Sequence, residues 1–234
     1  MQVQTIICTT HTPSPWCNSL GKRATDVVLS SIALVLAAPV MAVVALLVRA
    51  TSKGPALFRQ ERLGFQGQPF ALLKFRTMHK DAASAGIGVT RSGDVRITVL
   101  GKMLRASKLD ELPQLINVLR GEMSMVGPRP DLERVWNQTG AWKQEIFALK
   151  PGVTGAASLV FRNEEKFLLG VPLDRVDQFY ITHLLTRKAE IDLNYAAHAS
   201  FWSDLRLLLA TIFRVVGKSD RSLQEAHSNE QISR

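Results

Sequence analysis

The stretch SKLDELPQLINVLRGEMSMVGPRP, from Ser107 to Pro130, sets two carboxylates side by side just before a proline. Ser107, three residues ahead of Asp110, reads as a helix N-cap, and Leu109, Leu112, Leu115, Ile116 and Leu119 read as the apolar stripe of the helix that follows. Asp110 and Glu111 then fall in its first turn, where Pro113 is tolerated because those N–H groups have no intrahelical acceptor. Acids at that position complement the helix dipole and need no further role. A second reading comes from the cations. Lys102, Arg105 and Lys108 precede the pair, Arg129 follows in GPRP, and Lys74 and Arg76 stand in KFRTM. If these loops converge they form a phosphate site and hold a carboxylate ionised at neutral pH. Such a carboxylate is a Mg²⁺ ligand or a nucleophile able to form an acyl phosphate, and two adjacent acids could divide the tasks. Gly127, Pro128 and Pro130 stiffen the loop that carries Arg129.

The elements that must position this pair begin with VVLSSIALVLAAPVMAVVALLV, Val27 to Val48, which carries no charge. As a continuous helix it would reach about 33 Å, close to the ~30 Å hydrocarbon thickness of a bilayer. It is longer than the apolar core of a signal peptide, and Arg49 to Lys53 offers no small-residue cleavage pattern. Pro39 sits past its middle, and both flanks are basic, with Lys22 and Arg23 before it and Arg49 and Lys53 after it. If positive charge marks the cytoplasmic side, both ends belong on one side, which a re-entrant helix-break-helix satisfies. A single-pass anchor with a tolerated proline is the alternative. Ala56 to Phe58 and Phe70 to Phe75 then flank a turn region with Gly64 and Gly67, as in a β-hairpin. Lys80 to Asp94 is small and polar, a loop, and Val99 to Ser107 resumes a helical pattern. Near the C-terminus, Trp202, Leu205, Leu209, Ile212 and Val216 share one helix face, with Arg206, Arg214 and Lys218 elsewhere. That suits either an interfacial membrane helix or one packed on the core. The fold class expected is α+β and mostly helical.

A chain of 234 residues can bury one good core. We read residues 1–21 as a flexible leader, 22–218 as a single catalytic domain with 22–50 as its re-entrant membrane helix, and 219–234 as a flexible tail. A hydrophobic content of 46% and a mean hydropathy of +0.06 exclude general disorder. The net charge of +9 and isoelectric point near 9.9 point to an anionic partner without choosing among nucleic acid, membrane and phosphorylated substrate. The apolar run and the lack of a recognisable binding motif argue against nucleic acid. Cys8 and Cys17 lie in the leader and the five histidines are scattered, so neither a structural zinc site nor a disulfide framework is expected.

KFRTM (Lys74 to Met78), GDVRITVLGKMLR (Gly93 to Arg105), LDELPQLINVLRGEMSMVGPRP (Leu109 to Pro130) and PGVTG (Pro151 to Gly155) together resemble the bacterial sugar transferases known as monotopic polyprenyl-phosphate phosphoglycosyl transferases. The likeness runs from about Lys22 to about Lys218 and is to the small members. It implies transfer of sugar-1-phosphate from a UDP-sugar to a polyprenyl (undecaprenyl) phosphate, with UMP released, on the cytoplasmic face of the bacterial inner membrane, initiating glycoconjugate or exopolysaccharide assembly. By the same resemblance Asp110 is the nucleophile that forms a phosphosugar-enzyme intermediate and Glu111 its partner, with Mg²⁺ bound at the pair. Arg105 holds phosphate, Lys74, Arg76 and Arg129 meet anionic groups, and Arg162 serves as a matching arginine. The re-entrant helix kinked at Pro39 and the interfacial amphipathic helices are also family features. The chain departs from many relatives in Ala38, which stands where they carry Ser before the proline, and in AASLVFRNEE after PGVTG, where Glu164 and Glu165 read as solvated, with reach to the site as the alternative. Two rival readings are a glycosyltransferase that releases UDP and a catalytically silent membrane scaffold. The intact acidic pair argues against the scaffold.

Overall fold

A computed structural model describes residues 12–79, 94–140, 143–162, 164–168, 170–172 and 175–216. The loop expected over Lys80 to Asp94 (all but its last residue), the first half of the leader and the tail from Ser219 lie outside the described residues. Described elements are mostly helical, as the sequence pattern predicts, with two small sheets where it predicts one hairpin.

Helix α1 spans Leu20–Thr51 and is capped by Ser19, whose hydroxyl accepts from the Lys22 N–H at 3.0 Å. It runs through Pro39 as one helix of 32 residues, so the expected break does not divide it into two elements. A proline removes one backbone hydrogen bond, and the apolar turns on either side continue the helix around it. Its buried residues are Lys22, Asp26 and Ser30 near the start, four apart, and Val44 and Val48 near the end. Between them Val35 and Leu36 are more than 70% exposed, so these apolar turns are left uncovered by the described residues. By length and composition this helix can cross a membrane. Within the expected leader, residues 14–18 are anchored. A short 3₁₀ turn at Pro15–Asn18 docks through Trp16, whose Nε1 donates to Asp204 at 2.9 Å, and the Ser14 N–H donates to the Ala196 carbonyl at 2.9 Å.

Strands β1 (Leu57–Leu63) and β2 (Pro69–Phe75) form the expected antiparallel hairpin, with Leu57 opposite Phe75 and Leu63 opposite Pro69. Helix α2 (Val99–Ala106) is capped by Thr98, and α3 (Gln114–Arg120) ends on Gly121 in the left-handed conformation. Strand β3 (Ser124–Val126) is followed by α4 (Glu133–Trp136) and α5 (Lys143–Phe147), and β4 (Gly152–Thr154) pairs with β3 in parallel. Then come α6 (Ala156–Val160), α7 (Glu164–Phe167), α8 (Val176–Phe179), a π-helical stretch at Tyr180–Leu185, α9 (Thr186–Ala197) and α10 (Phe201–Val216). The largest core packs Trp136, Phe147, Leu168, Tyr180 and Leu193, while a second joins Val44 and Val48 of α1 to Phe75 and Leu104. On α10, Asp204 and Leu207 turn inward, and Trp202, Leu209, Ile212 and Phe213 stay exposed. Trp202, Leu209 and Ile212 of the predicted apolar face therefore point away from the core, while Asp204 and Leu207 hold the helix against it.

Helix α3, which follows the acids, is fixed to the hairpin by Asn117, which is fully buried. Its Oδ1 accepts from the Leu73 N–H at 3.0 Å, and its Nδ2 donates to the Ala71 carbonyl at 2.8 Å and to Glu122 at 2.6 Å. The carboxamide thus takes the place of a neighbouring strand along β2. Asn117→Ala would leave the Leu73 donor buried and unpaired, and we expect a loss of about 2–4 kcal/mol in equilibrium urea unfolding of the detergent-solubilised protein. A loss below about 0.5 kcal/mol would contradict this clamp.

Candidate functional site

Asp110 and Glu111 lie in a single 3₁₀ turn, Leu109–Glu111, and α3 begins only after Pro113. Ser107 does not cap them. It closes α2, with its hydroxyl donating back to the Met103 carbonyl at 2.8 Å. Lys108 follows with φ 59°, a left-handed backbone that turns the chain between α2 and the acidic turn. The correction has a physical basis, since a hydroxyl can bond the carbonyls of a preceding helix as readily as it caps a following one.

The two acids meet opposite environments. Glu111 is gripped by Arg129 in a two-pronged pair, with Nη2 donating to Oε1 at 2.6 Å and Nη1 to Oε2 at 3.3 Å. Burial raises its carboxyl, yet the charges of Arg129 and then Lys74 outweigh burial and hold it well below the usual carboxylate range. Asp110 is buried, and its Oδ1 is enclosed without a hydrogen-bond partner. Burial, followed by the charge of Glu111, pushes its carboxyl up against the pull of Lys74, Arg105 and Lys108. The expectation that nearby cations depress the carboxylates therefore holds for Glu111 and not for Asp110. Burial and then the Arg129 charge bring the Lys74 ammonium down to about 7.

Lys74 enters from β2, Arg105 from the last turn of α2 and Arg129 from the loop after β3, and these gather at the pair. Arg129 owes its place to the PGVTG segment. The Gly127 N–H donates to the Thr154 carbonyl and the Gly152 N–H to the Pro128 carbonyl, both at 2.9 Å. The backbones approach so closely that a Cβ on Gly152 would lie 2.1 Å from the Gly127 nitrogen. Arg76 lies elsewhere. Its guanidinium donates to the Ser52 carbonyl and hydroxyl, both at 2.8 Å, and to the Pro55 carbonyl, so it closes the end of α1 and does not join the acids. Arg162 donates to the Arg214 carbonyl at the far end of α10.

Sequence reasoning missed a buried network behind Arg129. Arg62 lies 3.6 Å from Asp131, the Tyr180 hydroxyl donates to Asp131 at 3.2 Å, and Lys188 donates to Tyr180 at 3.0 Å and to Glu164 at 2.9 Å. Glu164 is thus paired and not solvated as expected, while the side chain of Glu165 lies outside the described residues. Asp131, next to GPRP, and Glu164, already noted after PGVTG, are the members whose sequence neighbours could have drawn attention to the network.

Among the described residues no group of three or more His, Cys, Asp or Glu side chains could hold a metal ion. An ion that takes one or two carboxylates and completes its shell with water and substrate phosphate, as Mg²⁺ does, would ask no more of the chain than this pair. The unpartnered Asp110 oxygen fits that use, whereas both Glu111 oxygens are held by Arg129.

The family profile described as bacterial sugar transferase matches residues 17–218. The chain is similar to the UDP-glucose:undecaprenyl-phosphate glucose-1-phosphate transferase of Caulobacter vibrioides, at 39% identity over 82% of this chain and 68% of that protein. It is 34% identical to the UDP-N-acetylgalactosamine-undecaprenyl-phosphate N-acetylgalactosaminephosphotransferase of Aeromonas hydrophila, over 86% of this chain and 44% of that protein. It is 36% identical to the exopolysaccharide production protein PSS of Rhizobium leguminosarum, over 82% of this chain and 92% of that protein. Of other curated relatives it spans about two-fifths of the length.

The shift of Lys74 has a consequence for stability. Because the folded protein holds this proton less tightly than the unfolded chain, Lys74 opposes folding increasingly as pH falls from 10.5 to about 7. Lys74→Met should raise the urea midpoint, by more at pH 7 than at about pH 9.5, although it removes a site cation. A variant less stable than wild type at both pH values would show that the ammonium is not disfavoured by folding.

Proposed function

The chain belongs to the bacterial sugar transferase family, and from that premise we propose that it transfers sugar-1-phosphate from a UDP-sugar to undecaprenyl phosphate at the cytoplasmic face of the inner membrane. The names of the relatives specify glucose in one case and N-acetylgalactosamine in another, so the donor is given as a UDP-hexose. The observation that carries the reading is the enclosed, unpartnered oxygen of Asp110 beside a second carboxylate held by Arg129, with Lys74 and Arg105 at hand.

In the first half-reaction an Asp110 carboxylate oxygen bonds to the sugar-bearing phosphorus. The phosphoanhydride P–O bond breaks, and its electron pair leaves on UMP. In the second, an oxygen of undecaprenyl phosphate bonds to that phosphorus, the bond to Asp110 breaks, and the carboxylate is restored. Both nucleophiles are anions, so neither half needs a proton removed. The demand falls on charge neutralisation, which Lys74, Arg105, Lys108 and Arg129 supply. Asp110, and Glu111 once Arg129 turns toward substrate, would hold Mg²⁺, whose charge would offset that of the phosphates. Glu111 in its present pairing keeps Arg129 extended over the site.

We also infer that α1 enters and leaves one leaflet, with Pro39 as its bend. Both ends of α1 pack on the same body, the start through Lys22 on Asp204 at 2.6 Å and the end through Val44 and Val48 on Phe75 and Leu104, while the turns between are exposed. A straight helix of this length would extend about 48 Å, and a bend at Pro39 lets both ends reach one surface. The exposed Trp202, Leu209, Ile212 and Phe213 of α10 suit the lipid interface of that surface.

Purified protein with Mg²⁺, undecaprenyl phosphate and a panel of UDP-sugars should release UMP, and Asp110→Asn should lower the rate by about 10³-fold or more. Release of UDP would indicate glycosyl transfer, and unchanged turnover in the variant would remove Asp110 as nucleophile. For topology, Leu20→Cys and Lys53→Cys in a background lacking Cys8 and Cys17 should both label from the cytoplasmic side alone. Labelling from opposite sides would establish a full crossing.

A further inference from the structure

Gln114 is 2% exposed, and its Nε2 is enclosed without a hydrogen-bond partner. Burying an amide donor unpaired costs folding free energy, so such a group calls for an explanation. The same helix offers a comparison. Asn117, three residues on and equally buried, has both ends of its carboxamide bonded. The fold therefore satisfies one buried carboxamide in α3 and leaves the other unmet.

Position supplies the reason. The backbone is right-handed and helical through Leu112 and Pro113, which join the acidic turn to α3. Asp110 and Gln114 are thus four residues apart along one continuous right-handed path, a spacing that in an α-helix sets Cβ atoms about 6 Å apart. One presents an unpartnered acceptor and the other an unpartnered donor, and they do not bond each other. A phosphoryl group brought to Asp110 meets both needs. Its phosphorus takes the carboxylate oxygen, and one of its non-bridging oxygens takes the amide N–H.

Resting on the phosphosugar transfer proposed above, we propose that Gln114 is a further catalytic residue, whose side-chain amide donates a hydrogen bond to a non-bridging oxygen of the phosphoryl group that Asp110 attacks. It moves no proton and leaves the balance of both half-reactions unchanged. The surrounding Lys and Arg side chains supply charge, and Gln114 adds a neutral donor of fixed direction, held by burial at the point where negative charge is redistributed. Both half-reactions pass through the same phosphorus, so both draw on this donor.

Gln114→Met keeps the length of the side chain and removes the donor. Loss of one preorganised donor of this kind lowers kcat by about 10²-fold or more. We expect that loss in steady-state UMP release, a similar slowing of the UMP burst seen with UDP-sugar and no lipid, and a KM for the UDP-sugar within about threefold of wild type. The urea midpoint should be equal to or above that of wild type, because no folded-state hydrogen bond is removed. A purely structural glutamine would give the reverse, a lowered midpoint with turnover close to normal per folded molecule. Turnover of Gln114→Met within about twofold of wild type overturns this inference alone. Wild-type protein that releases no UMP overturns the phosphosugar reading and this inference with it.

Discussion

A single carboxamide sets the geometry on which the site depends. Asn117 bonds the free edge of β2 as a neighbouring strand would, accepting from Leu73 and donating to Ala71, and it does so from the helix that follows the acidic turn. Lys74 is the next residue along that strand, and Arg62 lies across the ladder on β1, opposite Phe70. One buried side chain thus places the strand that brings the cations against the helix that follows the carboxylates. Because both of its groups are satisfied in the interior, the contact is directional as well as favourable. The rest of the fold supplies the other approach. The close packing of Gly127 against Gly152 holds the Arg129 loop where it can reach Glu111.

Adjacent acids in one turn would titrate alike if the chain were unfolded. Here burial acts on both, and what separates them is pairing. Arg129 offsets the desolvation of Glu111, whereas Asp110 is left with cations at a distance and an oxygen that nothing bonds. That oxygen is raised in energy relative to one in water and is accessible only to what enters the site. This is the state in which a carboxylate gains most from a phosphorus centre or a divalent cation. The division of roles follows from which acid the GPRP loop can reach, and the buried Asp131, Tyr180, Lys188 and Glu164 network fixes that loop from behind.

The same economy joins the site to the lipid-facing surface. The polar stripe of Lys22, Asp26 and Ser30 is buried against the body, with Lys22 on Asp204 and Asp26 accepting from the Met125 N–H at 3.0 Å, just ahead of the Arg129 loop. Arg23 donates to the Val118 and Leu119 carbonyls and so closes the end of α3. The first turns of the long apolar helix are therefore wired to both segments that build the site. The position of that helix is thus tied to that of Asp110.

The apolar length of α1, the hairpin, the amphipathic α10 and the acidic pair with its cations were legible in the sequence, because hydropathy, residue spacing and local turn chemistry are properties of neighbouring residues. The sequence by itself determined which side chains were available for phosphate chemistry and which segments would seek lipid. Tertiary structure alone decided how they were assigned. Ser107 closes the helix before it because its hydroxyl found carbonyls there, and Arg76, which reads like its neighbour Lys74, turns to the end of α1 instead of the acids. Asp110 and Glu111 diverge, and Gln114 and Asn117 diverge, for one reason: the cost of burying a polar group depends on a partner that comes from elsewhere in the chain, and local sequence does not encode where that partner will be.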